Sequence, residues 1–384
     1  MGPLNSLKIL EIASIGPGPF CCMMLADMGA EVVRTDRPGV ASAAALDPLL
    51  RNRKSILCDL KSPQAAAVIL RLVENFDGLV EGFRPGVMER LGLGPEACLQ
   101  RNPGLVYGRM TGWGQEGPLA QTAGHDINYI SISGVLHEIG LAGGKPTVPL
   151  NLVGDFGGGG MLLAFGMVCA LLEAKISGRG QVVDAAMIDG SSTLMALFHG
   201  FKAMGLHKDG TGTSFLAGAA HYYNTYETRD GRFVSIGAIE PQFYALLIEK
   251  LGLDRKKFAL HGFDWTRLDG KSREVWKELK LELARVFKTR SRDEWCALLE
   301  GSDTCFTPVL SMSEAIEHPH NKSRNAFVDV AGNPQPAPAP RFSRSVAAAP
   351  LPGAEPGANT REVLADAGFS EQEIKGLIEE QVIV

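Results

Sequence analysis

The feature that most constrains this chain is a strict alternation, over its first 110 residues, of short apolar β-branched runs with segments spaced like helices. Residues 7–12 form an apolar run. Residues 17–28 follow as a helical segment opened by Pro17, and 31–35 form a second β-branched run ending in Asp36-Arg37. The unit recurs as 55–60, 63–75 and 78–81, then a further helix and the run 104–110. Such alternation predicts an α/β fold: a parallel, Rossmann-like sheet with helices on both faces and ligands at the carboxyl ends of the strands.

At 384 residues the chain exceeds the usual size of one domain. Helices are expected at 156–174 and 187–204, flanking a short strand at 181–184. The glycine- and threonine-rich stretch 210–218 reads as linker. Beyond it, 221–228 and 231–237 alternate around Arg229-Asp230-Gly231, a hairpin signal, and helices are expected at 241–251, 272–287 and 292–299. The expected organisation is a large α/β domain over 1–205 completed by 330–384, a linker at 206–220, and a smaller α+β domain over 221–329. Residues 333–356, dense in proline and alanine, read as an extended linker before a helix at 360–381.

Thirty-eight basic residues against 43 acidic ones, a net charge of −5, give no general attraction for nucleic acid, so any anion site must be local. Seven cysteines, at 21, 22, 58, 98, 169, 296 and 305, lack the paired spacing of a zinc or dithiol site. They are expected to be reduced, as in the cytoplasm; neither the first ten residues nor the last four carry a targeting pattern. The most apolar window, 161–172, is too short to cross a bilayer and reads as a core helix, so no membrane partner is expected.

Gly16-Pro17-Gly18-Pro19 stands where a dinucleotide fingerprint would stand, but the third glycine is absent, so a tight turn before a helix is the better reading. Basic residues at or just after strand ends make a better anion site: Arg37, Lys61, and Arg84 with Arg90. Guanidinium forks there, with backbone amides near Leu60 and Gly82, suit the phosphates of a nucleotide tail. Each taken alone is equally an ordinary solvated charge. The hexapeptide Gly124-His125-Asp126-Ile127-Asn128-Tyr129 puts His125 near a helix amino terminus. Asp155 sits where an N-cap carboxylate would sit, yet the four glycines 157–160 that follow mark close approach of a ligand or another backbone.

These segments, with Asp36-Arg37-Pro38-Gly39, Arg84-Pro85-Gly86-Val87, Pro149-Leu150-Asn151-Leu152, Gly154-Asp155-Phe156 and 237–244, resemble the α-methylacyl-CoA racemases, a branch of the family III CoA-transferase superfamily. The likeness runs over about residues 5–345. It implies interlocked homodimers whose active site is shared between chains, with a large domain built from both chain ends. It also implies that His125 and Asp155 are the acid/base pair and that Glu240 hydrogen-bonds His125. Arg37, Cys58, Asp59, Leu60, Lys61, Gly82, Arg84, Arg90, Ala123, Gly124, Asp126, Ile127, Asn128 and Tyr129 would line the coenzyme A site.

The residue types agree with the implied chemistry. Inversion next to a thioester carbonyl needs one base to remove the α-proton and a protonated partner to deliver another to the opposite face. A neutral imidazole and a carboxyl held protonated by its surroundings meet that need, and the enolate oxygen would take donors from the amides around Asp126. No metal or cofactor beyond the substrate's own coenzyme A is called for. Two rivals remain: a CoA-transferase with Asp155 as nucleophile, and a non-catalytic acyl-CoA binding protein. Met161, Met187, Met195 and Met204 suit either a mobile acyl surface, as in the resembled enzymes, or ordinary packing. The chain departs from the resembled racemases at Ser214, Ala217, Ala219 and His221, which puts substrate range or loop order in question, and residues 41–45 are unusually bland for a stretch near a phosphate site.

Overall fold

The computed structural model describes residues 1–40, 44–265, 268 and 270–384; most of the bland stretch 41–45 thus lies outside the described residues. Six strands form one sheet: β1 (Lys8–Ile12), β2 (Glu31–Asp36), β3 (Arg53–Leu57), β4 (Gly78–Glu81), β5 (Val106–Thr111) and β6 (Val182–Ala186). Every pairing is parallel and the spatial order is β3-β2-β1-β4-β5-β6, the doubly wound arrangement expected from the sequence. The order reverses at β1, so the crevice beyond the carboxyl ends of β1 and β4 is where a ligand is expected to bind.

Successive residues of a strand face opposite sides, so a parallel sheet needs apolar cover on both. Along β1, Leu10 and Ile12 enter one core with Val33, Ile56 and Leu79, covered by α2 (Ala65–Val73) and by the helices Thr360–Asp366 and Glu371–Glu379. Ile9 enters the other core with Val32, Val80 and Val106, covered by α1 (Pro17–Asp27) and by the long helix Leu162–Ser177. Each fully buried Leu or Ile here contributes about 1.5–3 kcal/mol. The C-terminal segment completes the sheet's edge: Cys58 bridges antiparallel to Ile383, and the Asp59 N–H donates to the Val382 carbonyl at 2.9 Å. Both chain ends therefore build this unit.

Contacts divide the chain into two units. The first comprises residues 1–133, 150–193 and 319–384; the second comprises 134–149 and 194–318. The second thus takes in 194–205, all of 206–220, and a segment from the middle of the large domain. Between α2 and β6 the chain forms α3 (Val87–Arg90), α4 (Pro95–Arg101), α5 (Asp126–Ile132), α6 (Val135–Glu138) and α7 (Leu162–Ser177), and β6 is followed by α8 (Met187–Leu194) and α9 (Ala196–Ala203). In the second unit, the expected hairpin is β7 (Tyr223–Glu227) and β8 (Phe233–Gly237), joined by a third antiparallel strand, β9 (Phe306–Pro308). Its core is aromatic: Tyr222, Tyr244 in α10 (Pro241–Lys250), Phe258, Trp276 and Phe287 are all buried.

Two expectations change. The stretch 206–220 is packed, not a free linker: Ser214 accepts the Leu216 N–H at 3.2 Å to cap a short turn, and Phe215 enters the core. The sequence departure at His221 is likewise structural, a fully buried ring whose Nε2 lies 2.7 Å from the Tyr244 hydroxyl. The second change concerns the apolar window at 161–172. It belongs to one continuous helical run, Leu152–Ser177, of 26 residues with mean hydropathy 1.7, long and apolar enough to cross a membrane by length and composition. Nor is it simply a core helix. Leu163, Met167, Ala170 and Leu171 are buried, but Met161, Phe165, Val168, Leu172 and Ile176 form an exposed apolar stripe at helical spacing.

Candidate active site

A cavity of about 570 Å³ opens in the first unit at the sheet's reversal point. Three strand ends supply its floor: Ile15, Gly16 and Pro17 follow β1, Gly82 to Pro85 follow β4, and Met110 to Trp113 close β5 and run on from it. The segment 122–125 and Tyr129 form one wall; Asn151, Asp155 and Met187 form another. His125 and Asp155, far apart in sequence, therefore face one cavity.

His125 is the N-cap of α5, in extended conformation. Its N–H donates to Asn128 Oδ1 at 3.0 Å, and its carbonyl accepts the Asn128 N–H at 2.8 Å. These bonds pin the backbone and leave the imidazole exposed toward the cavity. Tyr129 stands behind it, edge-on to Trp113 with centroids 4.8 Å apart.

Asp155 is not an N-cap. It lies within a π-helical run, Leu152–Met161, a rare wide turn that occurs frequently at functional sites. Glycines make the run possible by letting α8 and α1 approach it: a Cβ on Gly158 would come within 2.6 Å of the Ser191 nitrogen, one on Gly159 within 2.8 Å of Met187, and one on Gly160 within 2.7 Å of Phe20 and of the Pro17 carbonyl. The carboxyl is half-buried, and Asn151 Nδ2 donates to its Oδ2 at 3.0 Å. Burial raises the Asp155 pKa above the ordinary carboxylate range and the negative charge of Asp126 adds to the rise, while Asn151 and His125 oppose it. Gly16, at φ +68°, presents bare backbone to the same carboxyl: a Cβ there would sit 3.4 Å from Asp155 Oδ2.

Of the residues assigned to coenzyme A, Gly82, Arg84, Ala123, Gly124 and Tyr129 line this cavity. Arg37, Lys61, Arg84 and Arg90 are exposed and, among the described residues, none is held in an ion pair. Ile127 and Asn128 are exposed on α5 but do not line the cavity. Cys58 faces the core, where burial pushes its thiol up to about 12, and Leu60 packs against the same core, so any part they take in binding falls to their backbone. Asp59 Oδ1 accepts the Lys61 N–H at 3.1 Å, closing the turn that presents Lys61. Asp126 turns inward, nearly buried. Glu240 belongs to the second unit, exposed at the N-cap of α10.

Sequence reasoning missed Ile15 and Trp113, which are not charged, gave no role to Asn151 although its segment Pro149-Leu150-Asn151-Leu152 was noted, and missed the support beneath Arg84. Glu81, fully buried at the end of β4, accepts the Phe83 N–H at 2.7 Å and the Arg109 Nε at 3.0 Å; Arg109 Nη1 in turn bonds Glu89 in α3 at 2.8 Å. This chain of bonds fixes both ends of the loop that carries Arg84. Burial outweighs the Arg109 charge and pushes Glu81 up to about 7. In the second unit Glu138, His207 and Asp209 bring potential metal ligands within 4.8 Å of one another, but His207 Nε2 is engaged by Glu138 at 3.1 Å and both Asp209 oxygens by Lys202.

Residues 4–360 match the family described as CoA-transferase family III. The chain is 44% identical to the alpha-methylacyl-CoA racemase of Mus musculus, over 99% of this chain and 97% of the mouse protein, and 42% identical to that of Homo sapiens with the same coverage. Its fold is similar to that of a CAIB/BAIF family protein from Brucella suis, with a TM-score of 0.80 over 95% of this chain and 99% of that one, at 23% identity.

Proposed function

From the premise that this chain belongs to CoA-transferase family III, we propose that His125 and Asp155 are the two proton carriers of its reaction. The enzyme is an isomerase, a racemase of 2-methylacyl-CoA thioesters. One of the pair removes the α-proton; the other, protonated, returns a proton to the opposite face of the enolate. The observation that carries the assignment is that an exposed imidazole and a carboxyl held toward its protonated form face a single cavity. A carboxyl whose burial favours its protonated form is suited to donating a proton and less suited to nucleophilic attack on a thioester, which supports the racemase reading over a transferase.

Arg84, with Arg37, Lys61 and Arg90, would neutralise the phosphates of coenzyme A, and the N–H groups at the start of α5 would receive the enolate oxygen. Glu240 would fix the His125 tautomer. We read the enzyme as a homodimer: Phe165, Leu172 and Ile176 on α7 are 68%, 65% and 81% exposed, an apolar stripe that a second copy would cover. The seven free cysteines agree with a reducing, cytoplasmic setting. Proton exchange alone needs no metal or cofactor.

Incubating one enantiomer of a 2-methylacyl-CoA in deuterated water tests the reading. Deuterium wash-in accompanied by the opposite epimer is expected. Transfer of coenzyme A to an added carboxylate without epimerisation would support the transferase, and neither event would leave a binding protein.

A further inference from the structure

Asp126 follows His125 in the chain, yet its side chain turns away from the cavity and is only 5% exposed as a residue. One oxygen does two things at once: Oδ1 accepts the Gly154 N–H at 2.6 Å and the Asp155 N–H at 2.8 Å. The approach is possible only because residue 154 is glycine, since a Cβ there would lie 2.5 Å from Oδ1. The other oxygen, Oδ2, is buried without a hydrogen-bond partner among the described residues. An unpaired carboxylate oxygen in the interior is destabilising, and packing alone gives no reason to keep it when an apolar side chain could fill the space.

We propose that Asp126 is a positioning residue that joins the two halves of the acid/base pair, tying the backbone of Asp155 to the first turn of the helix whose N-cap is His125. The proposal rests on the assignment of His125 and Asp155 as the proton carriers. It gives the carboxyl of Asp126 two separable effects. As a hydrogen-bond acceptor it fixes where Asp155 stands; as a charge it disfavours ionisation of Asp155. The groups that bear on the Asp155 carboxyl are Asp126, His125 and Asn151, and Tyr129 stands within the field of both aspartates. Of these only Asp126 contacts the Asp155 backbone through its side chain, so one substitution addresses charge and another addresses position.

Asp126→Asn keeps an acceptor oxygen for both amides and removes the charge. Its expected signature is a pH profile of kcat in which the limb due to Asp155 moves to lower pH by roughly one unit, with KM within twofold. Asp126→Ala removes the acceptor as well, and kcat is expected to fall at least tenfold while binding of coenzyme A itself, read by titration calorimetry, is retained. A merely structural role would lower the melting temperature of both variants and leave the pH limb where it was, which would overturn the proposal. Should Asp126→Ala fail to fold, the limb in Asp126→Asn decides alone. Asp155→Asn is measured in parallel by deuterium wash-in: if it racemises at the wild-type rate, the acid/base assignment itself fails, whereas loss of activity there with unchanged behaviour in both Asp126 variants defeats this inference only.

Discussion

Replacing Gly16 with alanine tests the geometry around Asp155 with a single methyl group. Gly16 has φ +68° and ψ −113°, a region that L-residues rarely adopt, and it opens α1 directly against the Asp155 carboxyl. Holding alanine in such a conformation costs about 1–3 kcal/mol. For a unit of this size each kcal/mol lowers the melting temperature by roughly 2–4 °C, so Gly16→Ala is expected to melt roughly 2–12 °C below wild type. Contact with Asp155 Oδ2 itself, at 3.4 Å, is ordinary van der Waals contact, so the methyl displaces solvent without a clash. Removing that solvent disfavours the charged carboxylate further, and Asp155, whose pKa burial already raises, shifts upward again. A protonated donor loses its proton as pH rises through its pKa, so the falling limb of the kcat profile moves to higher pH. Thermal melts and a pH series of epimerisation rates read both effects. A melting temperature within about 1 °C of wild type, together with an unmoved limb, refutes the placement of Gly16 against Asp155.

Three further outcomes follow from groups away from the reacting carbon. Glu81, held at about 7 by burial, contributes stability that is present below its ordinary pKa of 4.5 and is lost as pH rises through about 7; Glu81→Gln is expected to flatten the decline in stability between about pH 4.5 and 7, on the order of 3 kcal/mol in wild type, as read by melts across that range. His221, pushed down to about 3 chiefly by burial, with His261 and Lys280 adding, gives stability that is present above its ordinary 6.5 and is lost as pH falls below it. His221→Phe is therefore expected to remove a slope of about 1.4 kcal/mol per pH unit from acid unfolding of the second unit, and an unchanged slope would show that the ring is not buried neutral. Leu172→Glu puts a charge in the exposed stripe of α7. Light scattering is expected to find wild type at twice the 41.1 kDa chain mass and the variant at one chain mass, and wild type already at one chain mass contradicts the homodimer.

The sheet was legible in the sequence because each strand carries its own signal. Val32-Val33 and Leu79-Val80 set apolar residues side by side because both faces of a parallel sheet are covered. The helix start at His125 was legible as local pattern, and His125 and Asp155 were singled out from their residue types before the structure set both against one cavity. What escaped were features set through space. Cys58 and Leu60 were assigned to coenzyme A by the resemblance, and nothing near them in sequence reveals that Val382 and Ile383 return to pair beside them and that Cys58 faces the core. The four glycines after Asp155 signalled close approach but not its form, a π-helical run pressed by α1 and α8, which also lengthened the apolar helix beyond what the window 161–172 suggested. Asp126 looked like one more residue of a binding hexapeptide, because an inward-turned side chain bonded to Gly154 and Asp155 leaves no mark on local spacing.

The central claim is that two different side chains serve the two faces of the α-carbon. Deuterium wash-in measured separately from each enantiomer, in His125→Ala and in Asp155→Asn, tests it most directly. Each variant is expected to lose inversion, and to retain exchange from one enantiomer only, the two variants retaining it from opposite ones. Exchange surviving from both enantiomers in either variant, or the same enantiomer surviving in both, contradicts the two-carrier account.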